Sequence, residues 1–263
     1  MSSFQTSFEV RVAKDTFKFN AAHFVAFKNF RERLHGHNYQ VAVKLLGSRK
    51  IGHDGYVVDF GDIKAVTKKV CKSLNEHFLC PMLSDVITIS VIDNNSNNNP
   101  ELGDGAIVKL VCEDGAVFVF PKQDCLLLPL VHATAEELAI YLWGKILQGL
   151  DATFLRKRGI HTMEVTVAEA VGQEALFRHE IPSTNNMDEI ALDVRTFIDS
   201  GEITPTPCFP VDGKKSCDGS CEASQKLFSA KLQQLADSLN SGKLQDKLPT
   251  GGITGEDLQK LIE

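Results

Sequence analysis

Asn20 to Tyr39 reads NAAHFVAFKNFRERLHGHNY, and this stretch decides the fold. His35 and His37 are two apart, and Tyr39, Val41, Val43 and Leu45 continue their parity. An apolar period of two marks a half-buried strand, and on a strand both imidazoles share one face. Upstream, Phe8, Val10 and Val12 fall on one parity and Phe17 and Phe19 on the other, a second strand that runs into His23. His23 is the natural third partner if the two strands pair. Three neutral imidazoles with an open fourth position form a catalytic zinc site. Zinc there polarises a carbonyl or hydroxyl and lowers the pKa of a bound oxygen. His-x-His also arises by chance on surface strands. His53, His132, His161 and His179 show no comparable pairing and are taken as non-ligands.

Working outward, Tyr56–Phe60 reads as a short strand. Gly61–Leu74 carries Ile63, Val66, Val70 and Leu74 at helical spacing. Residues 84–126 form an insertion. Val86–Ile92 is strand-like, NNSNNNP at 94–100 is polar and low-complexity, and Glu113-Asp114-Gly115 between two apolar runs predicts a β-hairpin, with a disordered tip near Asn97. Thr134 with Glu137 forms a capping box ahead of a helix whose stripe is Leu138, Leu142 and Ile146. His161–Val171 and Ala175–Ile181 return to strand character. After Pro182 the composition shifts. Met187–Ser200, Leu227–Leu239 and Gly255–Ile262 read as helices, so the expected domains are 1–182, a strand–helix core, and 183–263, a helical C-terminal tail.

The 28 Lys and Arg stand against 34 Asp and Glu, a net charge of −6. That excludes the basic footprint that binding to long nucleic acid requires. No apolar run approaches the roughly 20 residues of a membrane span, and the N-terminal stretch does not read as a secretory signal. The seven cysteines are scattered, and with no signal they read as reduced thiols of a cytoplasmic protein. Cys71 and Cys80 flank Asn75–His77 and read as small buried hydrophobes. Cys208, Cys217 and Cys221 lack a fourth local ligand and read as an incidental loop rather than a zinc site.

FKFNAAHF, LHGHNY, Gly55-Tyr56-Val57-Val58-Asp59-Phe60 with its following helix, TAEELA at 134–139 and VTVAEA at 165–170 occur in order. Together this set resembles the 6-pyruvoyl-tetrahydropterin synthase and 6-carboxy-tetrahydropterin synthase family, over about residues 8–80 and 126–181. The resemblance implies an α+β T-fold: a four-stranded antiparallel sheet with two helices on one face. To this the sequence adds the inserted hairpin and the helical tail. It also implies a homo-oligomer, trimer or hexamer, with active sites between subunits. His23, His35 and His37 match the family's Zn²⁺ ligands. Glu169 matches the glutamate that grips the pterin ring; the alternative is a solvated strand carboxylate. Glu136 falls where the family has a further site glutamate, or serves only the helix dipole.

Two departures are plain. The family's cysteine before His-Gly-His is missing from Phe30–Leu34. Glu32 is the proton acceptor there, unless it is a surface carboxylate paired with Arg31 or Arg33. Some family members similar in this respect shorten the side chain of 7,8-dihydroneopterin triphosphate to a hydroxymethyl group. Where the family has Asp-His after the first helix, this sequence reads Asn75-Glu76-His77, so Glu76 and His77 are the remaining acid–base candidates. The implied activity is a zinc-dependent carbon–oxygen lyase acting on 7,8-dihydroneopterin triphosphate. The product is 6-pyruvoyl-tetrahydropterin or, with Glu32 as base, 6-hydroxymethyl-7,8-dihydropterin. The competing reading is a pterin- and zinc-binding protein without turnover.

Overall fold

The computed structural model describes residues 7–92 and 105–199. Strand β1, Glu9–His23, pairs antiparallel with β4, His35–Leu46. Between them lies a short hairpin, β2 (Ala26–Phe27) and β3 (Phe30–Arg31), whose turn places Asn29 in the left-handed region at φ 67°. Four residues of β1, Lys14–Phe17, stand opposite the single Val41 of β4. This bulge carries three extra residues, an odd number, so the inward parity changes from Val10 and Val12 to Phe17, Phe19, Ala21 and His23 while the face stays the same.

Helix α1, Phe60–Leu74, is capped by Asp59, whose carboxylate accepts from Gly61 N–H at 2.7 Å. The expected strand at Tyr56–Phe60 is not formed. Arg158 takes the carbonyls of Tyr56 and Val57 and pairs with Asp54, so the segment is held by one side chain instead of a ladder. After α1 the chain returns as β5, His77–Pro81, parallel to β1. The crossover through α1 is what permits parallel pairing.

The insertion is three-stranded, not a simple hairpin: β6 (Ile87–Ile92), β7 (Ile107–Cys112) and β8 (Val117–Pro121) form an antiparallel sheet of their own. The Asp-Gly turn lies between β7 and β8 as expected. The tip near Asn97 lies outside the described residues. This sheet lays Phe118 and Phe120 against Phe24 and Phe78, with ring centroids 5.0 and 4.7 Å apart, and forms a second, smaller core. Strand β9, Cys125–Leu128, then pairs parallel to β5.

Helix α2, Ala135–Leu150, is followed by the short α3, Ala152–Lys157, and by β10 (Thr162–Ala170) and β11 (Gln173–Glu180). The main sheet runs β11-β10-β4-β1-β5-β9. It is six-stranded where four antiparallel strands were expected: β11, β10, β4 and β1 are antiparallel, and the short parallel β5 and β9 extend them. Helices α1 and α2 cover the face that presents Phe19, Tyr39, Val43 and Val165. Trp143 is wholly buried there, and its indole donates to Met163 O at 2.9 Å.

The expected helix over 187–200 is broken into α4, Met187–Ile190, and a 3₁₀ turn at Val194–Phe197. Asp193 accepts from Arg195 N–H and starts the second turn afresh. Ile190 and Val194 are buried in the main core. A Cβ at Gly144 would lie 2.9 Å from Ile190 O, so the glycine inside α2 is what lets this segment approach. The compact unit ends at Asp199. The expected helices at 227–239 and 255–262 and Cys208, Cys217 and Cys221 lie outside the described residues. Cys71, Cys80, Cys112 and Cys125 are free and buried, and burial pushes the Cys71 thiol up to about 12. Among the described residues no helix is long and apolar enough to cross a membrane.

Candidate metal centre and active-site cleft

The β1–β4 register sets His23 directly opposite His35, with His37 two residues on along the same face. Ring centroids lie 4.5 Å (His23–His35), 5.0 Å (His23–His37) and 4.9 Å (His35–His37) apart. One ring nitrogen from each lies within 4.8 Å of the others, close enough to converge on one ion. Gly36 separates the two ligands of β4 because any Cβ there would sit 2.8 Å from Ala21 O. A side chain at that position would push β4 off β1 and part His35 and His37 from His23.

The donor chemistry suits a metal. His23 is 2% exposed, and its Nδ1 lies 2.7 Å from Ala133 O. A carbonyl only accepts, so Nδ1 carries the proton and Nε2 presents a lone pair. That buried Nε2 has no hydrogen-bond partner. A backbone carbonyl behind a ligating imidazole is the usual outer support of a metal-bound histidine. His35 repeats the pattern, with Nδ1 2.8 Å from Arg33 O. Burial holds His23 below its usual pKa, which keeps the ring in its neutral, ligating form.

A cleft of about 330 Å³ opens over this cluster, lined by His23, His35, Glu32, Glu136, Glu169 and Glu174 among others. Five of the eight residues singled out from sequence line this cleft, and a sixth, His37, completes the imidazole cluster beside it. Glu32 follows β3. Its Oε2 accepts from Val25 N–H at 3.1 Å, and its own N–H donates to Val25 O at 2.9 Å. The alternative ion pair with its neighbouring arginines is not made among the described residues: Arg31 turns to Asp114 instead. Glu169, at the bulge of β10, accepts from Tyr39 Oη at 3.4 Å and lies 3.9 Å from His37 Nε2. Burial first, then the Glu169 carboxylate, push the Tyr39 phenol up, so it stays a neutral donor. Glu136 is exposed in the first turn of α2.

Glu76 and His77 line a different, larger cleft of about 660 Å³, which shares His35 with the first. Glu76 is left-handed at φ 62° and donates its N–H to Asn20 O, while Asn75 Oδ1 accepts from Asn20 N–H at 2.9 Å. Asn75 therefore anchors the turn to β1. His77 Nδ1 is buried without a partner. His132, set aside as a non-ligand, pairs with the buried Glu137 at 2.8 Å. Glu137 also accepts from the N–H groups of Val131 and His132, which fixes the loop that ends at Ala133. Only half of the capping box forms: Thr134 accepts from Glu137 N–H, but the carboxylate turns to this loop.

Two paired strands that offer three imidazoles on the helix-covered face of a small antiparallel sheet define a T-fold with a His cluster that could hold a metal ion. Residues 12–180 match the family of 6-pyruvoyl tetrahydropterin synthase. The chain belongs to that family. It is 32% identical over 161 residues to a Methanocaldococcus jannaschii protein provisionally assigned as a 6-carboxy-5,6,7,8-tetrahydropterin synthase, covering 61% of this chain and 89% of that one. Among solved structures, the 6-pyruvoyl tetrahydropterin synthases of Plasmodium falciparum (38% identity) and Plasmodium vivax (40%) superpose with a TM-score of 0.60, over 67% of this chain and 99% of theirs. Two further P. vivax structures are of mutants of a catalytic residue, a glutamate replaced by alanine or by cysteine.

Proposed function

We propose that the protein is a zinc-dependent lyase acting on 7,8-dihydroneopterin triphosphate. In this reading Glu32 is the base and 6-hydroxymethyl-7,8-dihydropterin is the product, in place of 6-pyruvoyl-tetrahydropterin. The observation that carries it is Glu32 itself. It is a carboxylate without a cation partner among the described residues, in one cleft with two of the three candidate zinc ligands. That the P. vivax relative, at 40% identity, has a glutamate as a catalytic residue supports the assignment. His23, His35 and His37 would hold the zinc, which would supply Lewis-acid polarisation of the substrate's side-chain hydroxyls.

A carboxylate is a base at neutral pH without activation, whereas a thiol near pKa 8.5 needs help. Glu32 takes the proton of the second side-chain hydroxyl, at C2′. The C1′–C2′ bond breaks, and C2′ leaves as the aldehyde of a two-carbon fragment that carries the triphosphate. The carbanion left at C1′, delocalised into the pterin ring, is protonated to the hydroxymethyl group. Glu169 accepts two parallel N–H bonds from the 2-amino-pyrimidinone edge, held in place by the Tyr39 hydroxyl. Glu136 contributes from the rim. The cleft is lined by carboxylates and, among the described residues, carries no lysine or arginine. Arg31 and Arg178 are engaged with Asp114 and Glu164. The triphosphate therefore extends out of the cleft, toward cations such as Lys28 and Arg33 or those of a second subunit. Glu76 and His77 lie in the second cleft, which meets the first at His35.

Incubation with 7,8-dihydroneopterin triphosphate and mass identification of the pterin tests the reading. The expected product is the hydroxymethyl compound, and Glu32→Gln should lower turnover by roughly a hundredfold or more with zinc retained. Unimpaired turnover in Glu32→Gln, or the pyruvoyl compound alone, would refute the role of Glu32. Asn75 serves the turn and not a catalytic pair, which favours as second reading a pterin- and zinc-binding protein without turnover. The absence of any product would establish that reading.

A further inference from the structure

The hairpin that delivers Glu32 has two residues in each strand, too short a ladder to fix a carboxylate by itself. The inserted sheet reaches it at its Asp-Gly turn. Asn29 N–H donates to Glu113 Oε2 at 3.1 Å, and Arg31 Nε donates to Asp114 Oδ2 at 2.8 Å. The Arg31 guanidinium also lies over Phe24 of the core chain and Phe118 of the inserted sheet, 5.9 and 5.5 Å from their centroids. Its Nη1 donates to Glu32 O at 2.9 Å. Asp114 is itself fixed, because its Oδ1 accepts from Ala116 N–H at 3.0 Å. One planar fork therefore spans the turn of the insertion and the backbone of the proposed base.

We infer that Arg31 is a positioning residue for Glu32, and that the inserted sheet, through Asp114, holds Arg31 in register. The inference rests on the assignment of Glu32 as the base. A half-exposed ion pair adds little to stability. Its value here lies in geometry: a guanidinium offers donors in fixed directions, and an ammonium does not. Misplacing a base by a fraction of its reach to the substrate costs turnover and leaves ground-state binding intact.

Arg31→Lys keeps the charge and loses the fork. Asp114→Asn keeps the Ala116 turn and loses the charge. Each should lower kcat by roughly ten- to a hundredfold, with KM and bound zinc unchanged. Each should also speed amide hydrogen exchange over residues 25–32 and not over β4, a readout independent of turnover. The double variant should be no worse than the poorer single one, and Asp114→Asn should cost nothing further in a Glu32→Gln background. Parental kcat in both single variants overturns the inference, as does an undiminished loss from Asp114→Asn when Glu32 is already glutamine. Parental turnover of Glu32→Gln alone removes the base assignment, and the inference with it.

Discussion

At the scale of the residue, the imidazole cluster depends on a carbonyl 110 positions away in sequence, Ala133 O. The His35→Ala, His37→Ala double variant is expected to lose its metal almost entirely, and elemental analysis of the purified protein checks it. A subtler outcome concerns His132, whose pKa is raised, first by its hydrogen bond to Glu137. A raised folded-state value means the pair stabilises the protein below the unfolded pKa near 6.5, and the benefit is lost as pH rises through the folded value. Glu137→Gln should therefore widen its stability deficit against the parent as pH falls from 9 to 6, as denaturant midpoints at each pH would show. A deficit independent of pH would assign Glu137 to the loop amides alone. The three histidines were legible because the parity of β1 and β4 is written in their apolar residues. Ala133 was not, because a backbone acceptor has no side-chain signature. Nor was Tyr39, which reads as one more core aromatic until Glu169 is brought beside it.

Among the elements, helix α2 links capping to the histidine cluster. Thr134 accepts from Glu137 N–H at 3.3 Å, one residue after the carbonyl that supports His23. Thr134→Ala should cost about 1 kcal/mol of stability. By loosening that carbonyl it should also weaken zinc binding by roughly tenfold, measured by competition with a chelator. Stability loss with unchanged zinc affinity would separate the two roles. Strands with one wet face were readable from alternation, as β4 and β10 were. The β5 segment HFLCP was not, because all but its first residue are buried and no alternation remains. The third strand of the insertion was visible as an apolar run, but its partner had to be found across a stretch with no pattern. The helix expected to follow Met187 failed because Asp193 offered its own cap, a local competition that apolar spacing does not register.

For the whole molecule, two measurements bear on assembly and extent. Strand β11 is an edge of the main sheet, and an exposed edge is a template for pairing. The homo-oligomer implied by the family's architecture should appear in light scattering at micromolar concentration, and a monomer alone would count against it. Truncation after Asp199 should leave folding and zinc binding intact. Truncation after Pro182 strips Ile190 and Val194 from the core and should cost on the order of 3–6 kcal/mol, read from thermal and denaturant midpoints. The register of the sheet also has a consequence in time. His23, His35 and His37 lie on neighbouring strands within 15 residues of chain, whereas Glu169 reaches β4 through the pairing of β10, well over a hundred residues later. Local pairings pay less loop entropy and close first. During synthesis, the three histidines can therefore be gathered while the chain that carries Ala133 and Glu169 is still being made. The protein would acquire the means to hold an ion before the means to grip a substrate.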